Sequence, residues 1–247
     1  MCILVVAWRM DDRWPLVLAA NRDESHDRPT APLHRWRDVP ILAGRDLRSG
    51  GTWLGVSDEA LAVVTNAGPA PAPPLRSRGS LVTEAALARR ASPDLAEYER
   101  YNPFNLLVLS ATAAEYATNR PEPVHLELPP GFHRIGNIGL GEHSLRSAAL
   151  ERAMTDWLAT DDQQPEALLT PLASRQLDGR IFADEVANGA AEPRTLQPLF
   201  ILDPVYGTRS STVVAIDAEG KGTVIERSYA PDGSVTGEIG IAFSWTE

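Results

Sequence analysis

The sequence predicts an α+β fold whose sheets draw strands from distant parts of the chain. Three observations carry that expectation. Apolar runs of strand length crowd both ends, segments with helical spacing fill the middle, and 247 residues with 43% hydrophobic side chains suffice for a large layered sandwich. No internal repeat or clear linker divides the chain, and the Pro-rich stretch 68–74 comes too early to bound an independent unit. Residues 1–247 therefore read as a single domain.

The elements follow in order. Ile3-Leu4-Val5-Val6-Ala7-Trp8 and Leu16-Val17-Leu18-Ala19-Ala20 are apolar runs separated by the turn-like Asp11-Asp12-Arg13, and they predict an antiparallel hairpin. With the turn near Asp12, opposed residue numbers sum to about 24 or 25, which sets Cys2 across from Arg22 or Asp23. Further strands are expected at 40–43, 52–56 and 61–65, the last two joined as a second hairpin by Ser57-Asp58-Glu59-Ala60. After the Pro-rich loop, 80–90 and 93–100 have helical spacing, with Leu81, Ala85 and Ala88 on one face and Pro103 as the stop. A strand meander at 104–110, 115–119 and 124–128 leads to a Gly-rich turn region at 131–141. Leu145, Ala148, Ala149, Arg152, Ala153 and Trp157 then mark a helix, with 165–173 as its companion. Residues 178–198 mix Gly, Asn, Pro and charge and read as a surface loop, with a flap over the site as the functional alternative. Strands at 199–202, 211–216, 223–229 and 234–244 close the chain.

Composition excludes several functions. A net charge of −10 and a pI near 5.0 argue against nucleic acid or an anionic membrane as principal partner. No apolar stretch reaches the length of a membrane-spanning helix, and the run after Met1 is too brief, with Arg9 following, to serve as a signal peptide. One cysteine leaves no disulfide framework and no pair for structural zinc, which points to the reducing cytoplasm. The histidines His26, His34, His125, His133 and His143 show no metal spacing, so neither a metal nor a cofactor is expected. Gly50-Gly51-Thr52-Trp53-Leu54-Gly55 lacks the Lys and the following helix of a phosphate loop and reads as a tight bend with Trp53 packed over it.

The chemistry resides in the position of that cysteine. Removal of an initiator Met before a small residue would leave Cys2 with a free α-amine beside its thiol. The reference pKa values of the two groups, about 7.7 to 8.0 and about 8.5, suit proton exchange near neutral pH. Cys2 as a small buried hydrophobe is the plain alternative. Asn21-Arg22-Asp23-Glu24 lies at the same sheet edge by the hairpin argument. An Arg there can favour thiolate or bind a substrate carboxylate or carbonyl, and an Asp can hold the α-ammonium. A solvated charged strand end is again the plain alternative.

Met1-Cys2-Ile3, Leu18-Ala19-Ala20-Asn21-Arg22-Asp23-Glu24 with Arg28-Pro29, and Gly50-Gly51-Thr52-Trp53-Leu54-Gly55 together resemble the NRDE family, that of transport and Golgi organisation protein 2. Val64-Thr65-Asn66, Asn105-Leu106-Leu107-Val108 and Thr208-Arg209-Ser210-Ser211-Thr212 extend the resemblance over nearly the whole chain. It implies an N-terminal nucleophile hydrolase-like fold, a four-layer αββα sandwich of two mainly antiparallel sheets. The Cys-dependent relatives in that superfamily cleave carboxamides through a thioester.

The same resemblance implies site roles. Arg22 and Asp23 match an Arg and Asp that follow the nucleophile, Arg209 matches a later strand arginine near it, and Asn66 with Ala67 supplies an oxyanion donor. The second donor of the family pattern is an Asn where this chain has Glu142, which lacks an amide to donate, so Asn137 is the candidate replacement. Asn21, Glu24, Trp53 and Asn137 complete the set as substrate-binding positions. Two functional classes follow: a Cys2 hydrolase or acyltransferase acting on a small-molecule amide or acyl compound, or a haem or lipid/acyl-coenzyme A binding and trafficking protein on the same scaffold.

Overall fold

A computed structural model describes residues 2–92, 94–141, 144–176 and 197–245. Along the chain it places β1 (Ile3–Trp8), β2 (Leu16–Ser25), β3 (Thr30–Arg35), β4 (Leu42–Asp46), β5 (Leu54–Val56), β6 (Ala60–Asn66), α1 (Gly79–Ala88), α2 (Leu95–Tyr98), β7 (Phe104–Ser110), β8 (Ala114–Thr118), β9 (Val124–Glu127) and β10 (Gly131–Ile135). After these come α3 (Leu145–Leu158), a 3-10 turn (Pro165–Leu168) running into α4 (Leu169–Leu172), β11 (Tyr206–Ile216), β12 (Lys221–Tyr229) and β13 (Val235–Ser244). All named strand pairs are antiparallel. One sheet has the order β10-β1-β2-β11-β12-β13, the other β3-β4-β5-β6-β7-β8-β9.

The α+β sandwich expected from the sequence is the one observed, and alternation along the strands explains its layers. In β1, Leu4, Val6 and Trp8 point into the core between the sheets. Ile3, Val5 and Ala7 point the other way and pack on Leu150, Met154 and Trp157 of α3 and Leu168, Leu169 and Leu172. Buried on both faces, the strand reads as an unbroken apolar run. On the second sheet Ala62, Val64, Leu106 and Val108 pack outward on Leu81, Val82, Ala85 and Ala86 of α1. The order from one surface to the other is helices, sheet, sheet, helices.

Four local expectations need correction. Residues 131–141 are not all turn, because Gly131–Ile135 forms β10 and pairs along β1 with Leu4 opposite Ile135. Its glycine hid it. β3 is not among the expected strands, since Pro32 and alternating polar residues suit only a sheet edge, which is where it lies. Residues 199–202 are not a strand. Leu199 joins the helix-side core, and Phe200 packs edge-on against Tyr229 at 4.8 Å while its amide donates to Ser174 O, so these residues are apolar for packing against helices. The strand expected at 40–43 is displaced to Leu42–Asp46. The loop expected at 178–198 lies, apart from 197 and 198, outside the described residues.

Candidate functional site

The inner face of the first sheet changes character toward one end. Register places Val6, Leu18, Val214, Val224 and Ile241 in one apolar row across five strands. The next row is Leu4, Ala20, Thr212, Glu226 and Ile239, and the one beyond is Arg22, Ser210, Ser228 and Gly237. Because Ile3 pairs with Asn21, the same register carried one residue further sets Cys2 opposite Arg22, on the face that looks between the sheets. Of the two partners the hairpin argument allowed, Arg22 is therefore the cross-strand neighbour.

Cys2 is half-buried, its Sγ 4.0 Å from the main-chain oxygen of Asp23. It lines a crevice of about 80 Å³ together with Arg22, Glu24, Arg28, Asp46, Asn66 and Arg78. The start of α1 is held against this crevice by glycine. A Cβ on Gly51 would lie 2.7 Å from the carbonyl carbon of Gly79, and the Thr52 amide donates to Gly79 O. The glycine-rich bend thus serves close backbone approach. Trp53 lies over Gly44, where any side chain would overlap the indole.

Charge in the crevice is mixed and ordered. Arg22 is 6% exposed, stacks on Trp53 at 4.2 Å from the ring centre, and sits 3.9 Å from Glu24 Oε2. Its Nη1 has no hydrogen-bond partner among the described residues. Burial lowers the Arg22 pKa, against the pull of Cys2, Glu24 and Asp46, while Arg209 pushes it further down. Burial likewise lowers that of Arg78, again opposed by Cys2. Arg28 is raised by its bond to the Asp46 carboxylate. For Asp46, burial acts upward, but Arg28 and the amides of Arg48 and Ser49 win and hold the carboxyl below its ordinary range.

Asp23 and Asn21 point to the opposite, helix-facing side of β2. The Asp23 carboxylate accepts from Arg146 Nη2 of α3 at 2.6 Å and from Thr208 Oγ1 at 2.7 Å, so what it presents beside the Cys2 sulfur is its main-chain oxygen. Asn21 lines a narrow crevice beneath Cys2, but its side chain is taken up by Leu172 O, Leu199 O and Ser211 Oγ. Asn21 acts as a clamp between β2 and the helix layer.

The oxyanion candidates divide. Ala67 N–H donates to Pro103 O at 3.0 Å and is not free. By alternation of the β6–β7 ladder the Asn66 amide points away from β7, beyond the end of β5, and Asn66 lines the Cys2 crevice. Asn137 does not line the crevice. Its loop is tied to the second sheet through Gly136 O, which accepts from Thr65 Oγ1 at 2.8 Å and Asn105 Nδ2 at 2.9 Å, and its own Oδ1 lacks a partner among the described residues. Glu142 and Met1 lie outside the described residues.

Arg209 is not brought to Cys2 either. Register slips between Thr208, opposite Asp23, and Ser210, opposite Arg22, leaving Arg209 as the extra residue of a β-bulge. Its Nη1 donates to Ser25 O, His26 O and Arg28 O. The rest of its side chain faces a second cavity, of about 360 Å³, whose wall toward the Cys2 crevice is Arg22 and Trp53. Glu226 lies in this cavity, 4% exposed, with Oε1 accepting the Leu33 amide at 2.7 Å. Burial pushes its pKa up to about 7 against that bond, the charge of Arg22 and the neighbouring Ser210 hydroxyl.

Sequence reasoning does not reach Arg78, Asp46, Arg146, Thr208, Ser210 or Glu226 as site residues. A sequence signal existed for Glu226 alone: it occupies an inward position of an alternating strand, between Val224 and Ser228. Among the described residues no group of three or more His, Cys, Asp or Glu could hold a metal ion, and no helix is long and apolar enough to cross a membrane.

The profile of the family described as Transport and Golgi organisation 2 matches residues 1–231. The chain is 28% identical over 264 residues to the Transport and Golgi organization 2 homolog of Mus musculus, covering 92% of this chain and 93% of that one. It is 31% identical over 272 residues to the Transport and Golgi organization protein 2 homolog of Homo sapiens, with the same coverage of 92% and 93%.

Proposed function

The chain belongs to the Transport and Golgi organisation 2 family, and from that premise we propose that it is an N-terminal cysteine hydrolase acting on a carbon–nitrogen or acyl bond of a small molecule. One observation supports this reading above the rest. Cys2 and Arg22 are cross-strand neighbours facing the same side of the sheet, and the buried guanidinium keeps a donor without a partner among the described residues. Such a donor suits a substrate oxygen.

Removal of Met1 is the first step. The α-amine of Cys2 takes the thiol proton, the thiolate attacks the carbonyl carbon, and the C–N bond breaks as the leaving amine takes that proton back. Water then hydrolyses the thioester and releases the acid. Arg22 and the Asn66 amide are the groups assigned to the substrate oxygen, and Arg78 and Glu24 to the crevice wall.

Intact mass of the untagged protein, followed by an amide and thioester substrate panel with the wild type and Cys2→Ser, tests the proposal. The expected result is a chain one methionine lighter, with turnover that the Ser variant abolishes while remaining folded. Retained Met1, or equal turnover in both proteins, overturns it.

A second reading rests on a different observation. The Ala67 amide and the Asp23 carboxylate, two groups the hydrolase pattern would use, are already engaged by Pro103, Arg146 and Thr208. A non-catalytic protein that binds and carries haem or an acyl compound, with Cys2 as a ligand, accounts for that. Saturable haem binding at one equivalent, weakened by Cys2→Ala, is its expected signature; detergent-sensitive, non-saturable uptake removes it.

A further inference from the structure

The cavity beyond Arg22 and Trp53 holds an unusual set of unmet donors. Arg22 Nη1 and Arg209 Nε each lie buried without a hydrogen-bond partner among the described residues, and both residues line this one cavity beside Ser210, whose hydroxyl is near enough to the Glu226 carboxyl to act on it. Arg22 is 6% exposed and Ser210 4%. Leaving a buried polar group unpaired is costly, more so for a charged one, and two guanidinium donors around a single space indicate a ligand that supplies acceptors. Guanidinium N–H groups cannot accept, so the complement is an anion.

The remaining walls narrow the class. Trp53, Pro32, Tyr229 and Ile239 give apolar surface next to the donors, and about 360 Å³ is at the small end of ligand pockets. A phosphate ester of nucleotide size does not suit that volume and that much apolar wall. We propose that this cavity binds a small organic carboxylate, its carboxyl group held by Arg22 and Arg209 and its short aromatic or aliphatic body lying against Trp53 and Ile239. Binding in the cavity needs no thiol, but it draws on the Arg22 Nη1 donor also assigned to the hydrolase substrate, so a bound acid competes with that substrate for one guanidinium.

Glu226 then acts as the discriminating group. The charged groups that face it are Arg22 from β2 and Arg209 from β11, with the Ser210 hydroxyl of β11 beside its carboxyl and the Tyr229 phenol on its own strand, while β3 and β13 contribute the uncharged Thr30, Pro32, Thr236 and Gly237. Protonated, Glu226 donates a hydrogen bond to a bound carboxylate; ionised, it repels the ligand and competes for both arginines. With its pKa near 7, the competent protonated fraction falls about tenfold from pH 6 to pH 8.

The test is calorimetric titration of the full chain with phenylacetate and hexanoate, against phenylacetamide and hexanamide as neutral isosteres. Saturable binding of one acid per chain at pH 6 is expected, at least tenfold tighter than its amide and about tenfold weaker at pH 8. Arg22→Met, which keeps the stem over Trp53, should weaken acid binding at least tenfold. Glu226→Gln should retain binding and flatten its pH dependence. Circular dichroism confirms that each variant is folded, and if Arg22→Met does not fold, the acid-to-amide ratio in the wild type and the pH profile of Glu226→Gln decide. Equal affinity for acid and amide, no acid binding at all, or a folded Arg22→Met that binds as well as wild type overturns the proposal, whatever is found for Cys2. Turnover lost in Cys2→Ser with phenylacetate binding unchanged separates the two sites.

Discussion

The Arg22 guanidinium lies 4.2 Å from the ring centre of Trp53, and the pair forms the wall between the Cys2 crevice and the larger cavity behind it. A desolvated cation over an indole face contributes about 0.5 to 2 kcal/mol, and the half-buried ring adds its own packing. Trp53→Ala is therefore expected to cost about 2 kcal/mol in urea unfolding and to join the two spaces. The second effect shows as faster alkylation of Cys2 by a bulky neutral maleimide in the folded protein. An unchanged rate with the variant still folded would mean that the indole does not divide them.

Asp23 and Arg146 form an ion pair with side-chain exposures of 0% and 3%, tying β2 to α3. Removing one partner strands a buried charge and costs about 3 to 5 kcal/mol, whereas replacing both with apolar groups is often near neutral. Asp23→Leu alone should destabilise by that amount, and Asp23→Leu with Arg146→Met should recover most of it. Denaturant midpoints of the single and double variants decide, and a double variant as unstable as the single would refute the pairing as the cause.

These two cases mark what could be read from the chain. The β1–β2 hairpin is legible because both strands are local, apolar and joined by a turn, so the sequence narrows the neighbour of Cys2 to Arg22 or Asp23, and the observed register selects Arg22. The partners of Asp23 were not, since Arg146 and Thr208 arrive from distant elements, and Thr208 reaches it only where the bulge at Arg209 resets the register. The same bulge turned Arg209 away from Cys2. Local pattern gives a face and a neighbour, but not which of several arginines a carboxylate will take.

The contact of Gly51 with Gly79 leads to a third expectation. Alanine at Gly79, within α1, would ordinarily help the helix by about 1 kcal/mol. Here its Cβ would sit 3.0 Å from Gly51 Cα and Thr52 N, both backbone atoms with no side-chain freedom to yield. Steric cost should win, with Gly79→Ala and Gly51→Ala each destabilising by about 1 to 3 kcal/mol. Thermal unfolding measures this, and a stabilised Gly79→Ala would show that the helix start can move.

Glu226 makes stability depend on pH in a direction opposite to most carboxylates. Its folded pKa of about 7 lies above the reference of 4.5, so between those values the folded state holds a proton that the unfolded chain has lost. Stability from this group is complete below pH 4.5 and declines as pH rises to about 7, by up to about 3 kcal/mol in all. Glu226→Gln keeps an oxygen for the Leu33 amide and cannot ionise. The variant should match wild type near pH 4.5 and exceed it increasingly up to pH 8. Urea midpoints across that range measure the difference between the two proteins, which cancels every other titrating group. Parallel curves would show that Glu226 ionises in the folded protein as easily as in the unfolded chain, and that its burial carries no such cost.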